Sequence, residues 1–270
     1  MTDSDPVLTG AGGRSILDRL RLDGRRALVT GAGQGIGRAF AHALGEAGAR
    51  VAVIDLDLDR ARTVADELAA KRIDALALAA DVAQEDAAER YVGAIVDAWG
   101  GLEIAVNNAG INPNGAAEET TPEQWDAAFA VNARGVFLGC QAAGRVMLRA
   151  GYGKIVNTAS MASLVVPHPQ KQAAYNASKA AVVQLTRTLA GEWADRGVRV
   201  NAISPGIIRT ALIEQSEALR PLVAEWLTQI PAGRLGEVTD LQAGLVYLAS
   251  EASDYMTGHN LMIEGGQSLW

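Results

Sequence analysis

Short runs of β-branched and other apolar residues alternate along the chain with longer stretches in which apolar positions recur every three to four residues. The runs are RALVTG (26–31), RVAVID (50–55), DALALAAD (74–81), LEIAVNN (102–108), GKIVNTAS (153–160), VRVNAIS (198–204) and NLMIEGG (260–266). Their near-continuous apolar character is that of strands buried on both faces. The longer stretches, 35–48, 57–70, 84–99, 123–150, 174–195 and 238–249, carry the periodicity of amphipathic helices. Strand and helix in alternation predict an α/β fold with a parallel sheet covered on both sides. No composition shift, linker or repeat breaks this order. Residues 21–270 therefore read as one doubly wound domain with a seven-stranded parallel sheet, and residues 1–20, acidic and Gly-rich, as a flexible head.

Composition narrows the partners. With 270 residues, 49% hydrophobic, 20% charged and a net charge of −7, the chain has the make-up of an ordinary globule and lacks the clustered positive charge that phosphate backbones require, so no nucleic-acid partner is expected. The one cysteine, Cys140, cannot close an intrachain disulfide. The first residues lack an apolar signal core and no 18-residue apolar run occurs, so the expected location is the cytoplasm, with no membrane partner.

The first strand runs into TGAGQGIG, Thr30 to Gly37, with glycines at 31, 33, 35 and 37. Such a loop between a strand and a helix permits close approach of backbone to a pyrophosphate, which the helix N-terminus then attracts. Asp55 follows Gly37 by 18 residues (55 − 37), at the end of the second strand, where a carboxylate accepts hydrogen bonds from ribose hydroxyls and repels a 2′-phosphate. Further polar clusters end the next three strands: AADV (79–82), NNAG (107–110) and NTAS (157–160). Each alone is compatible with turn chemistry, but all fall at the carboxyl edge of the sheet, where ligands of such folds bind. In AAYNASKAAVV, Tyr175 precedes Lys179 by four residues, so a helix would set phenol and ammonium side by side. That spacing by itself also describes an ordinary solvated helix face.

Taken together these motifs resemble the short-chain dehydrogenase/reductase family, with its Thr-Gly-x3-Gly-x-Gly loop (Thr30, Gly31, Gly35, Gly37), its Asn-Asn-Ala-Gly strand end (107–110) and its Tyr-x3-Lys pair (175, 179). The match continues through AVNARG (130–135), SPGIIRT (204–210) and YMTGHNLMIEGG (255–266). The resemblance implies a Rossmann fold and a catalytic tetrad of Asn132, Ser160, Tyr175 and Lys179. Tyr175 would be the general acid/base, its phenolate favoured by the Lys179 cation and by an oxidised nicotinamide. Ser160 would hold the substrate oxygen, and Asn132 would bind a water leading to Lys179. The implied cofactor contacts are Gly31, Gln34, Gly35, Ile36, Gly37, Asp55, Asp81, Val82, Asn108, Ala109, Gly110, Tyr175, Lys179, Pro205, Gly206, Ile208 and Thr210. Asp55, with Gln34 in the loop and Leu56 after the strand where NADP-preferring relatives usually carry Arg or Lys, implies NAD.

For the substrate, the interval from Ser160 to Tyr175 is 15 residues (175 − 160), longer than in many members, and its loop SLVVPHPQKQAAY (163–175) carries Pro167 and Pro169. The Ser-Met start, the Pro-Gln before the tyrosine and the terminal Gly-Gly…Trp resemble the galactitol, arabinitol and mannitol dehydrogenase branch. Substrate contacts are expected from Ser160, Tyr175, His168 and Gln170, under a helical lid at about 207–232 whose Leu212, Ile213, Leu222 and Trp226 would wall the pocket or simply pack the lid. Glu264 stands where that branch usually has Asp. A homotetramer is implied, and no metal, since His42, His168 and His259 are scattered. The expected activity is oxidation of a secondary alcohol, a polyol, to a ketone. Reduction of a 3-oxoacyl thioester or cyclic ketone, or a non-catalytic NAD-binding role, remain the alternatives.

Overall fold

The computed structural model describes residues 13–269 apart from 212, 214, 215 and 218. Its strands are β1 (Arg26–Thr30), β2 (Arg50–Asp55), β3 (Ala75–Ala79), β4 (Ile104–Asn107), β5 (Gly153–Thr158), β6 (Val198–Pro205) and β7 (Asn260–Ile263). They form one parallel sheet in the order β3-β2-β1-β4-β5-β6-β7. The order reverses between β1 and β4, which opens a crevice at their carboxyl ends.

The period-2 alternation of each strand sorts its side chains between two cores. Leu28, Ala52, Ile54, Ala105, Ile155 and Val200 face one side, with helices α4 (Ala87–Trp99), α6 (Val136–Ala150) and α7 (Ala173–Trp193) packed on them. Ala27, Val29, Val51, Val53, Ile104, Val106 and Ile203 face the other, beneath α2 (Gly35–Glu46), α3 (Leu58–Ala70) and α9 (Gln242–Ala249). A third cluster, Met161, Ile207, Trp226, Ile230 and Leu235, holds helix α8 (Val223–Gln229) over the carboxyl edge. Ile213 and Leu222 pack on it; Leu212 lies outside the described residues.

Two differences from the expected elements matter. The helix expected over 123–150 is broken into α5 (Pro122–Phe129) and α6 by a π-helical stretch, Ala130–Gly135, which carries Asn132. The extra residue of a π turn rotates one side chain out of the helical register, and Asn132 turns inward, wholly buried. In the part of the expected flexible head that is described, Ile16–Leu20 forms helix α1, closed by a Ser15–Asp18 capping box. Arg14 beside it pairs with Glu251, which also accepts from Arg25. No helix of the described residues is long and apolar enough to cross a membrane.

Candidate active site

The glycine turn between β1 and α2 is packed too tightly for a side chain at Gly31, Gly33 or Gly37. A Cβ on Gly31 would sit 2.8 Å from Ala109 Cα, and one on Gly37 would sit 2.1 Å from the Gly31 carbonyl oxygen. Gly31 and Gly35 have φ of +62° and +56°, conformations that glycine adopts without strain. Gln34 caps α2 without a side-chain hydrogen bond, which leaves the first-turn N–H groups facing the crevice. The arrangement fits a pyrophosphate: bare backbone, free donors and a helix dipole.

The neighbouring strand ends are tied to this turn. Thr30 Oγ1 accepts from Asn108 N (3.0 Å) and Ala109 N (3.1 Å). Asn108 Nδ2 donates back to the carbonyls of Thr30 (3.0 Å) and Gly31 (3.3 Å), and its Oδ1 accepts from Thr158 Oγ1 at 3.3 Å. Asp55 stands at the loop rim, Oδ2 accepting from Gly33 N (2.8 Å) and Oδ1 from Asp57 N (3.1 Å). These bonds use one lone pair on each oxygen, so the carboxylate retains capacity toward ribose hydroxyls.

Of the remaining expected cofactor contacts, Asp81 ends the β3 loop with its carboxylate on Ala83 N and Gln84 Nε2 (3.0 and 3.1 Å). The Val82 carbonyl lies against Gly135 in the π turn, 2.9 Å from where that glycine's Cβ would be. Pro205 closes β6; Gly206 N donates to Ile263 O, and Ile208 is buried. Thr210 comes back to the glycine turn, its Cγ2 3.8 Å from the Cβ position of Gly35. Gly110 borders Lys179, whose Nζ is 3.4 Å from that residue's Cβ position.

The structure brings Ser160, Tyr175 and Lys179 together at the β5 edge. Ser160, just beyond β5, is buried; its Oγ accepts from Ala162 N at 3.1 Å and is hydrogen-bonded to Tyr175. Lys179 is 3% exposed, donates from Nζ to Thr158 O at 2.7 Å and lies 5.8 Å from the Tyr175 ring centroid. Burial pushes the Lys179 ammonium down to about 8 and the Tyr175 phenol above its usual value, the Ser160 bond opposing the latter. Burial thus disfavours the charged form of both groups.

Asn132 lies in the π turn, wholly buried. Its amide donates to Ile111 O (2.8 Å) and Ser178 Oγ (3.0 Å), and its Oδ1 accepts from Ile111 N (2.9 Å). The side chain thereby holds the 110–112 segment against α7, and the Cβ position of Gly110 is 3.2 Å from its Oδ1 and 3.4 Å from Lys179 Nζ. Ser178, fully buried, is a member of this constellation that sequence reading missed. Its position three residues after Tyr175 was the only signal.

His168 and Gln170 both bond to α8. His168 Nδ1 meets Glu225 Oε1 at 3.0 Å, its carbonyl accepts from Gln229 Nε2 at 3.1 Å, and Gln170 Oε1 accepts from Trp226 Nε1 at 2.8 Å. The long 163–172 loop is thereby fastened to α8. Gln172, three residues before Tyr175, accepts from Asn112 Nδ2 through its Oε1 at 3.2 Å.

A family model described as Enoyl-(Acyl carrier protein) reductase matches residues 31–268. The chain is 42% identical over 250 residues to galactitol 2-dehydrogenase (L-tagatose-forming) of Cereibacter sphaeroides, covering 93% of this chain and 97% of that one. It is 38% identical over 247 residues to 3-oxoacyl-(acyl-carrier-protein) reductase FabG of Staphylococcus aureus, covering 91% and 98%. Among solved structures, a short-chain type dehydrogenase/reductase from Mycobacterium marinum superimposes with a TM-score of 0.91 at 43% identity, covering 94% and 99%. A gluconate 5-dehydrogenase from Burkholderia cenocepacia, in complex with NADP and tartrate, does so at 0.86 and 36% identity, covering 95% and 100%.

Proposed function

Since the chain belongs to the short-chain dehydrogenase/reductase family, whose members are nicotinamide-dependent oxidoreductases, we propose that it is an NAD-dependent dehydrogenase that oxidises a secondary alcohol of the polyol class to a ketone. The observation that carries this reading is the convergence of Ser160, Tyr175 and buried Lys179 at the sheet edge that also holds the glycine turn and Asp55.

The nicotinamide cofactor, when bound, supplies the hydride acceptor. Gly31, Gly35, Gly37 and the α2 N–H groups would hold its pyrophosphate, and Asp55 its adenosine ribose. Asp55 favours NAD, because a carboxylate at that rim opposes a 2′-phosphate. Ser160 donates to the substrate oxygen and fixes it beside Tyr175. Tyr175 takes the hydroxyl proton. Lys179, held by Thr158 O, places its positive charge where it lowers the cost of the phenolate. Asn132 positions the segment beside Lys179. The polyol class is supported by the galactitol dehydrogenase relative. The FabG relative supports a second reading, reduction of 3-oxoacyl thioesters.

We place the protein in the cytoplasm, since a fold with a single, buried cysteine, Cys140, does not depend on an oxidising compartment, and infer a homotetramer. In its favour, Trp125, stacked on Phe129 with centroids 4.9 Å apart, and Phe137 leave large aromatic surface exposed along α5 and α6.

The test is NADH or NADPH formation by the purified protein with alditols, monohydric secondary alcohols and 3-hydroxyacyl thioesters, beside Tyr175→Phe. Turnover of alditols with NAD, lowered about 100- to 10,000-fold in the variant, is the expected result. Turnover confined to thioesters would establish the second reading, and cofactor binding with no turnover would remove the enzyme assignment.

A further inference from the structure

One face of α7 and its N-cap presents Gln172, Tyr175, Asn176 and Lys179, at positions i, i+3, i+4 and i+7. The segment following β4 runs along this face in the opposite direction. Gly110 lies against Lys179, Ile111 is clamped through both backbone polar groups by Asn132, and Asn112 Nδ2 donates to Gln172 Oε1 at 3.2 Å. Gln172 Nε2 donates in turn to Asn176 Oδ1 at 2.8 Å. Gly115 N, bonded to Lys171 O at 2.9 Å, fixes the far end of the segment. Gln172, with Asn112 bonded to it, therefore stands one helical turn, about 5 Å, from Tyr175 on the side away from Lys179, and Asn176 directly follows Tyr175, so the three linked amides Asn112–Gln172–Asn176 flank the tyrosine.

The chain is anchored in the middle and open at its ends. Gln172 is 6% exposed, whereas Asn112 is exposed and Asn176 half-buried. Each amide carries two N–H donors and a carbonyl acceptor. Among the described residues Asn112 Oδ1 and Asn176 Nδ2 take no partner, and Asn112 Nδ2 and Gln172 Nε2 each keep a second N–H, so an uncharged pairing of free acceptor and free donors remains on a rigid support. A hydroxyl both donates and accepts, and answers this uncharged pair. The alkyl chain of an acyl thioester offers it nothing, and a carboxylate only accepts.

We propose that Asn112, Gln172 and Asn176 form a hydroxyl-recognition wall that selects polyhydroxy substrates over monohydric alcohols by hydrogen-bonding a second hydroxyl a few carbons from the reacting one. This rests on the polyol reading above and adds to it the residues that recognise the rest of the chain. The role belongs to these three and not to His168 and Gln170, which are bound to α8.

The experiment measures kcat/KM for threitol, xylitol and galactitol against 2-butanol in the wild type, Asn112→Ala, Gln172→Leu and Gln172→Glu. Each lost hydrogen bond to a neutral hydroxyl is expected to lower the alditol-to-butanol ratio about 3- to 10-fold, mainly through KM. Gln172→Glu, which keeps the acceptor for Asn112, is expected to lower it less than Gln172→Leu. Because the ratio is taken within one protein, a loss of folded material cancels, and exposed Asn112 provides a variant with little demand on packing. Alditol and butanol activities falling together, or an unchanged ratio, would overturn the inference while leaving the polyol reading intact. Wild type turning over butanol but no alditol would overturn both.

Discussion

Lys179 and Tyr175 meet the same burial with opposite consequences for pH. Alcohol oxidation needs the phenolate, and burial holds the phenol above its usual value, so kcat/KM for oxidation should rise with pH. The Lys179 cation that supports the phenolate titrates at about 8, so the rise should flatten above that pH. The reverse reaction, which consumes the phenol proton, should fall with pH over the same range. Stability follows a different sign. The native Lys179 ammonium titrates at about 8, below the ordinary value of about 10.4, so between those two pH values the unfolded chain holds a proton that the native one does not. Stability therefore rises through that window, and the burial penalty is fully present below it. Lys179→Met should abolish turnover yet raise stability at pH 7 by about 1–2 kcal/mol. That advantage should shrink as thermal melts are repeated toward pH 10; a variant less stable than wild type at every pH would contradict the account. Asp55 sets a second test at this scale. Asp55→Asn should move the NAD-to-NADP ratio of kcat/KM toward NADP by about 10- to 100-fold, since a like charge facing a phosphate costs several kcal/mol.

Among the elements, the glycine turn and the π turn are where local geometry is least tolerant. Gly37→Ala would drive a methyl to 2.1 Å from the Gly31 carbonyl, and a backbone atom at the heart of the turn cannot swing aside as a side chain would. Overpacking of this kind costs about 1–3 kcal/mol, so NAD affinity should fall about 10- to 100-fold by fluorescence titration while circular dichroism stays native-like. The glycine turn was legible in the sequence because the spacing of Gly31, Gly35 and Gly37 is itself the geometric requirement. The π turn was not: AVNARG has helical composition on both sides, and what breaks the α-helical ladder is a tertiary demand, namely that Asn132 reach Ile111 and Ser178. Likewise the 163–172 loop showed its length and prolines in the sequence, but its partner helix α8 lies more than fifty residues away, and only folding brings Trp226 to Gln170.

At the scale of the molecule, seven parallel strands leave both faces of the sheet covered within one chain, so association must use what the helices leave outside. Trp125 and Phe137, each about two-fifths exposed, lie on consecutive helices of one flank, and light scattering behind size exclusion should give four times the 28.2 kDa chain mass. A monomer mass at micromolar protein would refute the tetramer and leave the chemistry untouched, because Ser160, Tyr175, Lys179 and the glycine turn all come from one chain.

What the sequence determined by itself is whatever depends on short-range periodicity. Alternation within strands, three-to-four spacing within helices and the glycines of one turn dictated the α/β order, the parallel sheet and the carboxyl-edge location of Thr30, Asp55, Asn107 and Ser160. Tyr175 and Lys179 shared a helix face by spacing alone. The tertiary structure decided which polar groups are already spent. Asn132, His168 and Gln170 have hydrogen bonds to Ile111, Glu225 and Trp226, and Asn112, Gln172 and Asn176 are linked to one another, pairings that no local stretch of sequence specifies. A side chain's type is local, whereas its unused donors and acceptors depend on neighbours that only the folded chain supplies.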